Sequence, residues 1–104
     1  MAELPDGTLY FNGRAQGPAT PNCEHCRAVS FSKTPSGSSW TATTGDPALI
    51  DQSCQASVLS ADSYVYFSNP ASKRERVNMT VRRSSDAAKT WGAGQVQVYA
   101  GQSA

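Results

Sequence analysis

The chain has 104 residues, enough for one domain and too few for two. A formal charge of +1 excludes a nucleic-acid binder built on a strong basic excess. No apolar run approaches the ~20 residues that a membrane helix needs, and the first seven residues have no apolar signal-peptide core.

Leu is scarce, while Ser, Thr, Gly, Val and Tyr are plentiful, a composition that suits short strands and turns. The first predicted strand, 8–12, follows a Pro5-Asp6-Gly7 turn. Leu4 and that turn come at once, as if the chain were entered mid-domain. A second strand is predicted at 28–32. Those at 56–60 and 64–68 flank Ala61-Asp62-Ser63, a hairpin turn. Residues 77–83 alternate strictly, with Val77, Met79 and Val81 on one face and Asn78, Thr80 and Arg82 on the other. Residues 95–99 repeat the pattern with Val96 and Val98. Such alternation predicts half-buried antiparallel strands. Gly-, Pro- and Ser-rich loops are predicted at 13–22, 34–39 and 41–47, and no segment has helical periodicity. Evenly spaced short strands fit a sandwich, a barrel or propeller blades.

Cys23, Cys26 and Cys54 form no complete disulfide framework. Cys23-Glu24-His25-Cys26 has the spacing of half a zinc site, but structural zinc needs four ligands and no second pair exists. The expectation is no metal, with free thiols or a local Cys23–Cys26 bridge.

A repeat separates the architectures. Ser84-Ser85-Asp86-Ala87-Ala88-Lys89-Thr90-Trp91 lies between two strands and resembles the Asp-box, S-x-D-x-G-x-T-W, of sialidases and some other propellers. Ser84 and Asp86 would bond the backbone of a tight turn, Thr90 completes the motif, and Trp91 would fill the apolar interior. Ala88 stands where glycine is usual. Residues 33–40 look like a decayed copy that keeps Gly37 and Trp40, with Pro35 in place of Asp. Trp40 and Trp91 are 51 positions apart, the length of one four-stranded blade.

Nearly the whole chain is similar to exo-α-sialidases. Glu3-Leu4-Pro5-Asp6-Gly7 with Asn12-Gly13-Arg14 resembles E-L-x-D-G…N-x-R. Asn22-Cys23-Glu24-His25-Cys26-Arg27 resembles a Cys-x-Cys-Arg segment of animal lysosomal-type sialidases, and 51–58 resembles Q-G-C-Q-G-S-V. Phe67-Ser68-Asn69-Pro70, then Arg76-Val77-Asn78-Met79-Thr80, matches the next family stretch in order and spacing.

The resemblance implies an all-β fold: residues 1–104 as one partial domain, under two blades of a six-bladed propeller, completed by further blades. It implies that Arg14 and Arg76 are the second and third arginines that grip the carboxylate of sialic acid, with Gln52 near the sugar. A planar guanidinium pairs both carboxylate oxygens and stays charged. The expected partner is a sialylated glycan, with no cofactor and no nucleic acid. Sialidases use a tyrosine nucleophile. Neither it, its assisting glutamate nor the acid/base aspartate matches a residue of this chain, so no catalytic residue is expected here and the chain alone is expected to be inactive. The rival readings are a non-enzymatic Asp-box propeller that binds protein or glycan, a trans-sialidase, and a small zinc or redox protein. Asn78-Met79-Thr80 is a glycosylation sequon and hints at a secreted or lysosomal parent.

Overall fold

The structure, a computed structural model, describes residues 1–15, 22–34 and 36–102. Among the described residues, eight strands form two antiparallel four-stranded sheets, each in simple chain order. The first holds β1 (Ala2–Glu3), β2 (Leu9–Gly13), β3 (Cys26–Ser32) and β4 (Thr44–Ile50). The second holds β5 (Ser57–Ala61), β6 (Tyr64–Pro70), β7 (Met79–Ser84) and β8 (Gly94–Tyr99). No described residue lies in a helix, and no helix is long and apolar enough to cross a membrane.

Local chemistry sets the turns. At Pro5-Asp6-Gly7 the Gly7 amide donates to the Leu4 carbonyl, and Gly7 takes the positive φ of +86° that glycine tolerates. Asp6 accepts the Thr8 amide at 2.9 Å, which holds its carboxyl below the usual range. Between β5 and β6, Asp62 and Ser63 both have positive φ, 51° and 67°, as a two-residue hairpin of matching twist requires.

All six predicted strands are present, with no end shifted by more than two residues. Two strands escape the sequence reading. β1 is only two residues long. β4 overlaps 41–47, which reads as a loop because it carries Gly45, Asp46 and Pro47. Its register explains the exception: Arg27 faces Asp46 while Cys26 faces Ile50, so 47–49 form a bulge in the outermost strand. An edge bulge is where a strand can hold a proline, since no ladder hydrogen bond is lost there.

The core lies between the sheets. Leu4, Tyr10, Val29 and Leu49 from the first pack with Val65, Phe67, Ala88 and Trp91 from the second. Trp91 lies 6.4 Å from Tyr10 and 5.9 Å from Phe67, centroid to centroid, and its indole N–H donates to Asp46 at 3.0 Å. It therefore joins the two sheets both by packing and by a hydrogen bond.

The alternation of β7 is real, but its buried face is the polar one. Thr80, Arg82 and Ser84 are buried, on the same face as Val65, Phe67 and Asn69 across the register. Arg82, which the sequence places on the polar face of its strand, is only 7% exposed and donates to Asn69. That burial pushes its guanidinium pKa down. The opposite face, with Met79 and Val81, is continuous through the register with Leu59 and Val96, which stand 59% and 64% exposed.

Candidate functional site

The register sorts the sheet ends. Gly13 at the end of β2 faces Ala28 near the start of β3, and Ile50 at the end of β4 faces Cys26. In the second sheet the start of β5, the end of β6 and the start of β7 share one end, since Ser57 faces Ser68 and Pro70 faces Met79. Asn69 donates to the Ile50 carbonyl at 2.9 Å and to Asp51 at 3.2 Å, so these ends lie together. Arg14, Gln52 and the 71–78 segment with Arg76 all leave the strands at this common end. The turns at 33–40 and 84–91 leave from the opposite end, after β3 and β7.

Arg14 is exposed. It lines a cavity of about 360 Å³ with Arg27, Cys54, Gln55 and Ala56. Its backbone is held on both sides. Asn12 is tied to Arg27 and to the Tyr10 hydroxyl, at 2.7 and 3.0 Å, and the Ala15 carbonyl accepts the Ser53 hydroxyl. Arg76 is also exposed, in the 71–78 segment that closes on itself through Ala71 and Asn78. Gln52 is half-buried between β4 and β5, and its side-chain oxygen is buried with no hydrogen-bond partner among the described residues.

Beneath this end runs a buried polar seam that the sequence reading missed. Arg27, 4% exposed, donates to Asp51 at 3.2 Å, to the Cys54 carbonyl at 2.8 Å and to Asn12. Asp51, 1% exposed, also accepts from Asn69, and Asn69 accepts from Arg82. The Arg27 guanidinium lies 5.7 Å from the Phe67 ring centroid, so its charge faces the second sheet's aromatic wall as well. An ion pair of the first sheet is thus tied to the second sheet through Asn69. Breaking such a pair by removing one partner costs ~3–5 kcal/mol, because an uncompensated buried charge remains. The signal was present: Arg27 has the parity of Val29 and Phe31, so it sits on the otherwise apolar face of its strand.

At the opposite end, the 84–91 turn is built on two side chains. The Ser84 hydroxyl donates to Asp86 at 2.7 Å and accepts the Ala88 amide at 3.0 Å. Asp86 accepts the Thr90 amide at 2.8 Å and the Thr90 hydroxyl. These bonds, led by the Thr90 hydroxyl, pull the Asp86 pKa down to about 2. Ala87 and Ala88 take φ of 61° and 65°, the left-handed region that glycine would fill without strain.

Cys23 and Cys26 are disulfide-bonded, which leaves neither as a thiolate for zinc, and Cys54 is free and buried. Of the residues in the decayed turn, Pro35 lies outside the described residues, as does 16–21 of the predicted 13–22 loop.

No family model matches the chain. Among solved structures it is similar to "Hadza microbial sialidase Hz136", with a TM-score of 0.74 and 24% identity over 97% of this chain. The chain spans 20% of that protein's length. The likeness shows the fold: two consecutive antiparallel sheets as in part of a sialidase-like β-propeller.

Proposed function

We propose that the chain is part of an exo-α-sialidase propeller and supplies two arginines of its carboxylate grip, Arg14 and Arg76, to a terminal sialic acid on a glycan. One observation carries this reading: Arg14, Gln52 and the segment bearing Arg76 emerge from two different sheets at one shared end. A planar guanidinium from each sheet at that end suits the two oxygens of one carboxylate. The fold likeness to a protein named a sialidase supports the same assignment.

In this scheme the guanidinium groups anchor the carboxylate and orient the ring, each charge-assisted hydrogen bond contributing about 1.5–3 kcal/mol. Gln52, half-buried at the same end, is the residue that the family resemblance puts near the sugar. The turn at 84–91 is then a structural Asp-box, remote from the sugar. Bond cleavage belongs to groups elsewhere in the propeller, because none of these 104 residues matches a sialidase nucleophile or acid/base.

The test is direct. NMR titration of the chain with N-acetylneuraminic acid should shift the Arg14 and Arg76 signals together, and Arg14→Ala or Arg76→Ala should abolish both responses. A fluorogenic sialoside should not turn over. Guanidinium groups more than about 15 Å apart in a crystal with the sugar, well beyond a Debye length at physiological salt, refute the shared grip.

A further inference from the structure

We infer that Arg27 is the positioning residue of the Arg14 cavity. The inference rests on the carboxylate grip proposed above. It concerns a residue that the grip itself does not use.

The geometry separates the two arginines sharply. Both line the same 360 Å³ cavity, but Arg14 is exposed whereas Arg27 is 4% exposed. Arg27 is held through Nε and Nη1, which donate to Asn12, Asp51 and the Cys54 carbonyl at 2.7, 3.2 and 2.8 Å. A guanidinium so engaged is poorly placed to fork around a ligand carboxylate. It is well placed to fix what surrounds one. Asn12 is two residues before Arg14, and its side chain is clamped between Arg27 and the buried Tyr10 hydroxyl. Cys54 belongs to the cavity wall, and Asp51 leads on through Asn69 to Arg82 in the second sheet. Arg27 therefore sets the end of β2, the 51–56 segment and the second sheet in one frame. Arg14 is mounted on that frame. Its own side chain is long and rotamer-rich, so the backbone that carries it must be held for a two-oxygen grip to be productive. Lysine cannot replace this function: one ammonium on a flexible stem cannot reach three acceptors in the planar spread of a guanidinium.

The test compares N-acetylneuraminic acid with its methyl ester, which keeps the sugar and loses the carboxylate charge. Binding of each to the 104-residue chain is measured by NMR titration for wild type, Arg27→Lys and Asn12→Ser, with Lys73→Gln as an exposed-charge control. Far-UV circular dichroism and a thermal melt establish which variants are folded. Wild type should prefer the acid. Folded Arg27→Lys should bind the acid about tenfold more weakly, the equivalent of one charge-assisted hydrogen bond, with the ester unchanged. Asn12→Ser should move in the same direction, and Lys73→Gln should change neither by more than about twofold. A folded Arg27→Lys chain that binds the acid as wild type does would overturn the positioning role and leave the grip intact. Equal loss of acid and ester, or unfolding of both Arg27→Lys and Asn12→Ser, would reduce Arg27 to a structural residue and overturn it too. A wild-type chain that does not distinguish acid from ester would refute the grip itself, and this inference with it.

Discussion

The turns at 33–40 and 84–91 each follow the third strand of a four-stranded sheet, yet Trp40 is 39% exposed and Trp91 only 7%. Trp40 folds onto its own turn, its indole N–H donating to the Gly37 carbonyl at 2.7 Å. Trp91 reaches between the sheets to Tyr10, Phe67 and Asp46. The acceptors differ as well. In the second turn a carboxylate, Asp86, takes the Thr90 amide and hydroxyl. In the first, the neutral Thr34 hydroxyl takes the Ser38 and Ser39 amides at 3.1 and 3.3 Å. Tryptophan, glycine and one neutral hydroxyl therefore suffice to make the turn close. They do not make it a point of attachment between sheets, which needs an apolar gap for the indole to enter.

The largest test of this contrast is truncation of each indole. Trp91→Ala should cost about 3–5 kcal/mol in urea unfolding, as large aromatics removed from cores do, and Trp40→Ala about 1 kcal/mol or less. Equal losses would mean that the two turns anchor their sheets equally. Next comes Asp86→Ala, which strips acceptors from Thr90 and should cost about 1–3 kcal/mol, while Thr34→Ala should cost roughly half as much, because its bonds are neutral.

Acid should separate the turns further. The Asp86 pKa lies at about 2 in the folded chain against an ordinary value of 3.8. A depressed carboxylate contributes stability that is complete above its unfolded value and is lost as pH falls through about 2. Stability should thus decline below pH ~4, and Asp86→Asn should flatten that decline; an unchanged acid limb would assign the loss to other carboxylates. The smallest expected effect is at Ala88. Glycine there relieves ~1–2 kcal/mol of left-handed strain but adds ~0.5–1 kcal/mol of chain entropy and removes a buried methyl worth ~0.8 kcal/mol. Ala88→Gly should shift unfolding by under about 0.5 kcal/mol, a near cancellation of those terms. A loss above about 2 kcal/mol would show that the methyl, not the hydrogen bonds, fixes the turn.

What the sequence made legible follows from periodicity. β2, β3 and β5 to β8 carry alternation or apolar clusters bounded by turn residues, so each is readable in isolation. β4 is not, because its Pro47 makes sense only once a bulge opposite Cys26 and Arg27 is known. The burial of Arg82 is hidden for a related reason. Alternation reports that two faces differ, but not which one meets another sheet, and here Thr80, Arg82 and Ser84 are the buried set, with Asn69 as the partner of Arg82. Arg27 and Asp51 are 24 positions apart, and nothing local pairs them. The motif order did single out Arg14, Gln52 and Arg76, but their emergence at one end of both sheets depends on register, which sequence spacing does not supply.

The placement of the two indoles also makes the protein its own optical gauge. Trp91 is held in a dry gap and bonded across it to Asp46, whereas Trp40 faces water. Intrinsic emission should therefore be a blue component from Trp91 over a red one from Trp40. Separation of the sheets would wet Trp91 and move only the blue component, and iodide would quench Trp40 first. A Trp40→Phe chain would then report the parting of the sheets from a single fluorophore, without any label.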